Sequence, residues 1–96
     1  MQNAASGTLA FLFTDLEGST RLWEQFPDAM QVALRRHDAI LREAIEGSGG
    51  SVVKTTGDGM MAVFPGAIDA VTASLAAQRA LIAEPWGETG PLRVRM

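Results

Sequence analysis

Two aspartates are set in segments whose residue types could do chemistry together. Asp15 falls in Phe11-Leu12-Phe13-Thr14-Asp15-Leu16-Glu17-Gly18-Ser19-Thr20, where an apolar run gives way to small and hydroxyl-bearing residues. Asp58 falls in Thr56-Gly57-Asp58-Gly59, between two runs that read as strands. Paired carboxylates suit a hard divalent cation, because Mg²⁺ takes one or two of them and completes its shell with water and phosphate oxygens. A glycine followed by Ser and Thr at a helix start offers backbone N–H groups, hydroxyls and little bulk, which suits a phosphate. The two segments together describe a site for two Mg²⁺ (or Mn²⁺) ions that handles the phosphates of a nucleoside triphosphate and supports displacement at phosphorus. Each segment alone also has a plain structural reading. Asp15 or Ser19 could simply cap a helix, and Asp-Gly is a common type I′ hairpin turn. The chemistry requires that the two segments meet in space, although they lie 43 residues apart.

The elements between them allow that meeting. Thr8–Thr14 is short, nearly continuous and apolar, the pattern of a strand buried on both faces. A helix opens at Gly18-Ser19-Thr20, with Leu22, Trp23 and Phe26 on its apolar side. Pro27-Asp28 interrupts it, and Asp28 with Gln31 has the spacing of a capping box for a second helix. That helix carries Met30, Ala33, Leu34, His37, Leu41, Ala44 and Ile45 at helical spacing and should stop at Gly47-Ser48-Gly49-Gly50. Ser51–Thr55 and Met60–Phe64 read as the two strands of a hairpin around Thr56-Gly57-Asp58-Gly59. Ile68, Val71, Leu75 and Ile82 mark an Ala-rich amphipathic helix, and Leu92–Met96 alternates like a last strand. The order β-α-β-β-α-β predicts an α+β, ferredoxin-like antiparallel sheet with both helices on one face. Right-handed connections then set the first and third strands side by side, which brings the hairpin turn at Asp58 toward Asp15.

Composition bounds the rest. A chain of 96 residues allows one domain. Apolar residues make up 47% and charged residues 20%, a globular balance. A net charge of −3 argues against non-specific nucleic-acid binding but not against one nucleotide held through a metal. There is no cysteine, so thiolate sites and disulfides are excluded. No signal peptide or membrane-length apolar run is present, which makes a cytoplasmic chain without membrane contact the expectation. His37 reads as a packing or surface histidine, Trp23 and Trp86 as packing at helix ends, and Arg35 and Arg36 as solvated.

With the residues laid out, the chain resembles the class III nucleotide cyclases, specifically bacterial adenylate cyclases. The resemblance rests on Phe11–Thr20 together with Lys54-Thr55-Thr56-Gly57-Asp58-Gly59-Met60-Met61-Ala62-Val63-Phe64, and it extends from about Thr8 to Met96. It implies that Asp15 and Asp58 hold both metal ions, with the main chain of Leu16 touching one of them. It implies that Gly18, Ser19 and Thr20 form the triphosphate-binding turn and that Glu17 and Gly57 complete the substrate-binding set. Lys54 matches the lysine that reads adenine, which favours ATP as substrate; guanylate-specific members usually carry an acid there. The implied reaction is ATP to 3′,5′-cyclic AMP and pyrophosphate, used in signal transduction. In the family each site lies between two subunits, so a homodimer is implied, with Lys54 and Asp58 of one chain serving different sites. The family pattern continues past a strand like Leu92–Met96 to a second base-reading residue, and then to an Asn and an Arg that complete the site. Arg93 and Arg95 do not match that arginine. The resulting expectation is a flexible stretch at 1–7 and a truncated cyclase catalytic domain at 8–96, its C-terminal half absent and its own turnover low. A non-catalytic module derived from a cyclase, binding metal and nucleotide or only dimerising, is the alternative. An RNA-binding domain on the same plan would need exposed aromatics on the sheet and a basic surface.

Overall fold

The computed structural model describes residues 9–96. The expected flexible stretch at 1–7 lies outside the described residues. Four strands and three helices alternate as β1 (Ala10–Leu16), α1 (Ser19–Gln25), α2 (Pro27–Gly47), β2 (Ser51–Thr56), β3 (Gly59–Phe64), α3 (Ala67–Ala83) and β4 (Val94–Arg95). A single 3₁₀ turn at Gly87–Thr89 precedes β4 and has no counterpart in the sequence reading. The sheet runs β2-β3-β1-β4, and every neighbouring pair is antiparallel. The expected α+β plan is therefore present, with β1 and β3 adjacent at its centre.

Leu12 and Leu16 of β1 and Met60, Ala62 and Phe64 of β3 turn inward to meet Met30, Leu41 and Ile45 of α2 and Leu81 of α3. The β1 strand does not have two buried faces as its apolar run implied. Phe11 and Phe13 are 54% and 63% exposed, because the core forms on the opposite face. Alternation is forced by the pleat, so an apolar residue at every position leaves half of them outside the core.

The two long helices depart from expectation in instructive ways. Asp28 and Gln31 do not form a capping box. Pro27 takes the first helical position and Phe26 the cap, with no side-chain cap bond, because the proline ring is already set for a helix start and needs no N–H. In α3 the apolar positions that marked the helix face outward: Ile68 is 81%, Val71 66%, Leu75 50% and Ile82 82% exposed. The inward positions are Ala73, Ala77 and Leu81, whose i, i+4, i+8 spacing makes a narrow face for close approach to the rest of the domain. Trp86 closes this helix as expected, its indole N–H donating to the Leu81 carbonyl at 2.9 Å. His37 is fully buried on α2, a packing residue. Arg36 is half exposed rather than simply solvated, since it pairs with Glu84 at 3.0 Å. The last strand is shorter than Leu92–Met96, with only Val94 and Arg95 pairing.

Candidate metal and nucleotide site

The register of the sheet decides where the two aspartates fall. Asp15 lies within β1, opposite Gly59 of β3 on one side and Arg95 of β4 on the other. Gly59 in turn pairs with Thr56 of β2. One row across the sheet thus reads Thr56, Gly59, Asp15, Arg95, and Asp58 stands one residue beyond Gly59 in the connecting turn. The sequence separation is closed by the central β1–β3 ladder.

A side-chain bond ties the two segments more directly. The Ser19 hydroxyl, at the first residue of α1, donates to Oδ2 of Asp58. Neither aspartate nor Ser19 is spent on a helix cap: Gly18 occupies the cap position in the left-handed region at φ 67° and no side chain bonds there. The hairpin also differs from the type I′ reading. Its two turn residues are Gly57 and Asp58, and only Gly57 has positive φ, at 59°. A glycine at the first turn position alone is the type II′ pattern, and it leaves Asp58 in a conformation any residue adopts.

Two contributors escaped the sequence reading. A Cβ on Gly59 would stand 2.7 Å from the Thr14 carbonyl oxygen, so only glycine lets β3 lie this close to β1 beside both aspartates. Thr14 is buried, and its hydroxyl accepts the Met60 N–H at 3.0 Å, pinning the same stretch of ladder. The second glycine of Thr56-Gly57-Asp58-Gly59 was the available signal for the first, since a glycine beginning a strand often marks close backbone approach. Nothing in the sequence singles out Thr14.

The remaining expected residues distribute around this row. Lys54 is exposed on β2 beside a register shift, opposite Met61, which is itself opposite Phe13. A cavity of about 210 Å³ is lined by Phe13, Thr14, Lys54, Thr56, Met60 and Met61. Glu17 is ion-paired with Arg95 at 3.2 Å, both side chains being largely exposed. The Leu16 side chain is buried and its main chain ends β1 between Asp15 and the Gly18 turn. Thr20 and Gly57 are exposed at the first turn of α1 and at the hairpin tip.

Among the described residues, no three His, Cys, Asp or Glu side chains gather into one metal cluster. The donors brought toward one place are two carboxylates, of which Asp58 has one oxygen held by Ser19. Such a set fits Mg²⁺ or Mn²⁺, which draw the rest of their shells from water and phosphate. It does not fit structural zinc, which takes four protein ligands.

An antiparallel sheet with helices on one face and two carboxylates at one end of its central strands defines a class of domain, and comparison with known proteins gives the family. The profile described as the adenylate and guanylate cyclase catalytic domain matches residues 1–82. The adenylate cyclase of Lachancea kluyveri is 42% identical over 83 residues, which are 86% of this chain and 4% of that protein. Among solved structures, an adenylate cyclase from Trypanosoma brucei in its monomeric state superposes with a TM-score of 0.81 at 30% identity, covering 90% of this chain and 37% of that one. The guanylyl cyclase Cya2 superposes with a TM-score of 0.77 at 25% identity, over 90% of this chain and 50% of that one. The chain belongs to the adenylate and guanylate cyclase catalytic-domain family. It spans a small part of the curated relatives and half or less of these solved chains. Among the described residues, no helix is long and apolar enough to cross a membrane.

Proposed function

We propose that this chain forms the metal-holding part of an adenylate cyclase catalytic domain, which turns ATP into 3′,5′-cyclic AMP and pyrophosphate. The observation that carries the reading is the meeting of the two segments: Asp15 sits opposite Gly59, and Ser19 from the first segment bonds Asp58 from the second. Asp15 and Asp58, with the Leu16 carbonyl, would hold two divalent cations. When bound, such ions supply charge neutralisation at phosphate oxygens and lower the pKa of a coordinated hydroxyl. In the reaction the ribose 3′-oxygen bonds to the α-phosphorus as its proton leaves, and the bond from that phosphorus to the pyrophosphate oxygen breaks.

The chain's own residues have defined tasks in this proposal. Ser19 holds one Asp58 oxygen and so fixes how the carboxylate presents the other. Gly18, Ser19 and Thr20 form the turn facing the triphosphate, with Glu17 and Gly57 at its borders. Lys54, projecting beside Phe13 and Met61, offers an N–H donor to the purine edge and favours adenine. In a homodimer Lys54 would serve the site whose aspartates belong to the second copy. In the family pattern an Asn and an Arg complete the site, and the proposal gives that arginine's role to neither Arg93 nor Arg95. The exposed Phe11 and Phe13 meet one requirement of an RNA-binding sheet, but a net charge of −3 opposes the other.

Titrating Mn²⁺ with a non-hydrolysable ATP analogue tests the reading. Metal-dependent nucleotide binding should be present and should be lost in Asp15→Ala and in Asp58→Ala. Binding that is absent, or that survives both substitutions, would refute the assignment of the site.

A further inference from the structure

Ile68, Val71, Leu75 and Ile82 run along one side of α3, and each is at least half exposed. Ala73, Ala77 and Leu81, on the other side of the helix, are the residues it buries. The apolar stripe therefore points away from the sheet, on the side of the domain opposite the exposed Phe11, Phe13 and Asp15. A contiguous apolar patch held in water is unfavourable, and such patches mark contact surfaces. The polar side chains beside it are already bonded within the domain. The Thr72 hydroxyl donates to the Ile68 carbonyl and the Ser74 hydroxyl to the Ala70 carbonyl, both at 2.9 Å. The Gln78 amide donates to the Val94 carbonyl at 2.8 Å. These bonds lower the cost of covering the stripe, because the hydroxyl protons do not depend on water.

Spacing and sign decide what fits the stripe. Ile68, Leu75 and Ile82 follow one another at seven-residue intervals, about two helical turns, so the stripe is symmetric about Leu75. A second α3 laid antiparallel, with a two-fold axis at Leu75, sets Leu75 against its own copy and Ile68 against Ile82 of the other helix. The charges select the same direction. Asp69 near the start and Arg79 near the end are the two charged residues of α3, and among the described residues neither forms an ion pair. In the antiparallel pair Asp69 lies across from position 81 of the second helix, about 3 Å along the axis from Arg79. Opposite charges therefore meet twice, once at each end. A parallel pair would set Asp69 against Asp69 and Arg79 against Arg79, and like charges repel.

We propose that α3 forms an antiparallel two-fold contact with a second copy of this chain through Ile68, Val71, Leu75 and Ile82. The contact does not depend on the cyclase reading. The homodimer of that reading joins Lys54 and the aspartates from the other side of the sheet, so the two contacts use opposite faces of the domain. A helix of 17 residues is about 25 Å long, which puts the contact at the small end of specific interfaces. Self-association is accordingly expected at about 10–100 μM.

Sedimentation equilibrium of the 96-residue chain, from low micromolar to near-millimolar concentration in metal-free buffer, is the primary test. A monomer–dimer equilibrium is expected. Leu75→Glu sets two carboxylates at the axis and should weaken it by about tenfold or more. Asp69→Arg or Arg79→Asp alone should weaken it severalfold, and the two together should restore it, a rescue that a merely destabilised fold would not show. Phe11→Glu, on the opposite face of the domain, should leave the dimer unchanged. Circular dichroism confirms that each variant is folded. A chain that stays monomeric throughout would overturn the proposal and leave the stripe to a different partner. A dimer that survives Leu75→Glu, or that is lost in Phe11→Glu instead, would overturn it and assign self-association to the sheet face. Failure of the double charge exchange to restore the dimer would overturn the antiparallel arrangement.

Discussion

Gly59→Ala places one methyl group where the structure has no room for it. The new Cβ would stand 2.7 Å from the carbonyl oxygen of Thr14, whereas ordinary contact begins near 3.4 Å. That oxygen is main chain in the central strand, and Thr14 is held by burial and by its bond to the Met60 N–H. No side chain can swing away, so β1 and β3 must part by about 0.7 Å or the strands must tilt. Overpacking of this kind costs about 1–3 kcal/mol. For a domain of this size about 2 kcal/mol lowers the unfolding midpoint by about 8–16 °C. The strain also falls between Asp15 and Asp58, so Mn²⁺ affinity should drop by more than stability alone accounts for. Unfolding followed by circular dichroism, with Mn²⁺ titration well below the variant's midpoint, measures both effects. Gly47→Ala is the control. It sits at the end of α2 with nothing within 4 Å and without positive φ, so it should be neutral or stabilise by about 0.5–1 kcal/mol. If Gly59→Ala melts and binds Mn²⁺ like the parent chain, the close approach of the two strands is not there and the account of the site's geometry fails.

Two further outcomes follow from the same geometry. Ser19→Ala should lower Mn²⁺ affinity severalfold while costing only about 1 kcal/mol of stability, because it frees Asp58 without opening the core; unchanged affinity would show that Ser19 does not position the carboxylate. Lys54→Glu should erode the preference for an ATP analogue over a GTP analogue in competition while leaving the melting temperature within a few degrees, since Lys54 is exposed. A variant that keeps its full ATP preference would remove Lys54 from base recognition.

Periodicity and punctuation were enough to place most elements. The interruption at Pro27, the stop at Gly47 and the hairpin glycines are local backbone effects, and each acts on its own few residues. The pair of motifs around Asp15 and Asp58 was legible for the same reason, as residue types at fixed short spacings. Which face of an element is covered was not legible in α3 or β1. The large apolar residues Ile68, Val71, Leu75 and Ile82 dominate the α3 pattern, yet the inward face is the one carrying Ala73 and Ala77, where the helix can approach closely. Phe11 and Phe13 likewise read as core until the sheet is seen to bury only its other face. Those outcomes depend on what lies across from a residue, which a single segment does not encode.

By itself, the sequence determined the β-α-β-β-α-β order and the presence of two carboxylates in turn-like, glycine-bearing segments. Only the tertiary structure brought the two segments together. The β1–β3 register sets Asp15 beside Gly59, the lack of a side chain at Gly59 lets those strands lie close, and the Ser19 hydroxyl crosses to Asp58 instead of capping its own helix. The physical reason is that a strand ladder and a side-chain hydrogen bond between segments join residues distant in sequence, and their geometry exists only once the core has packed the strands together.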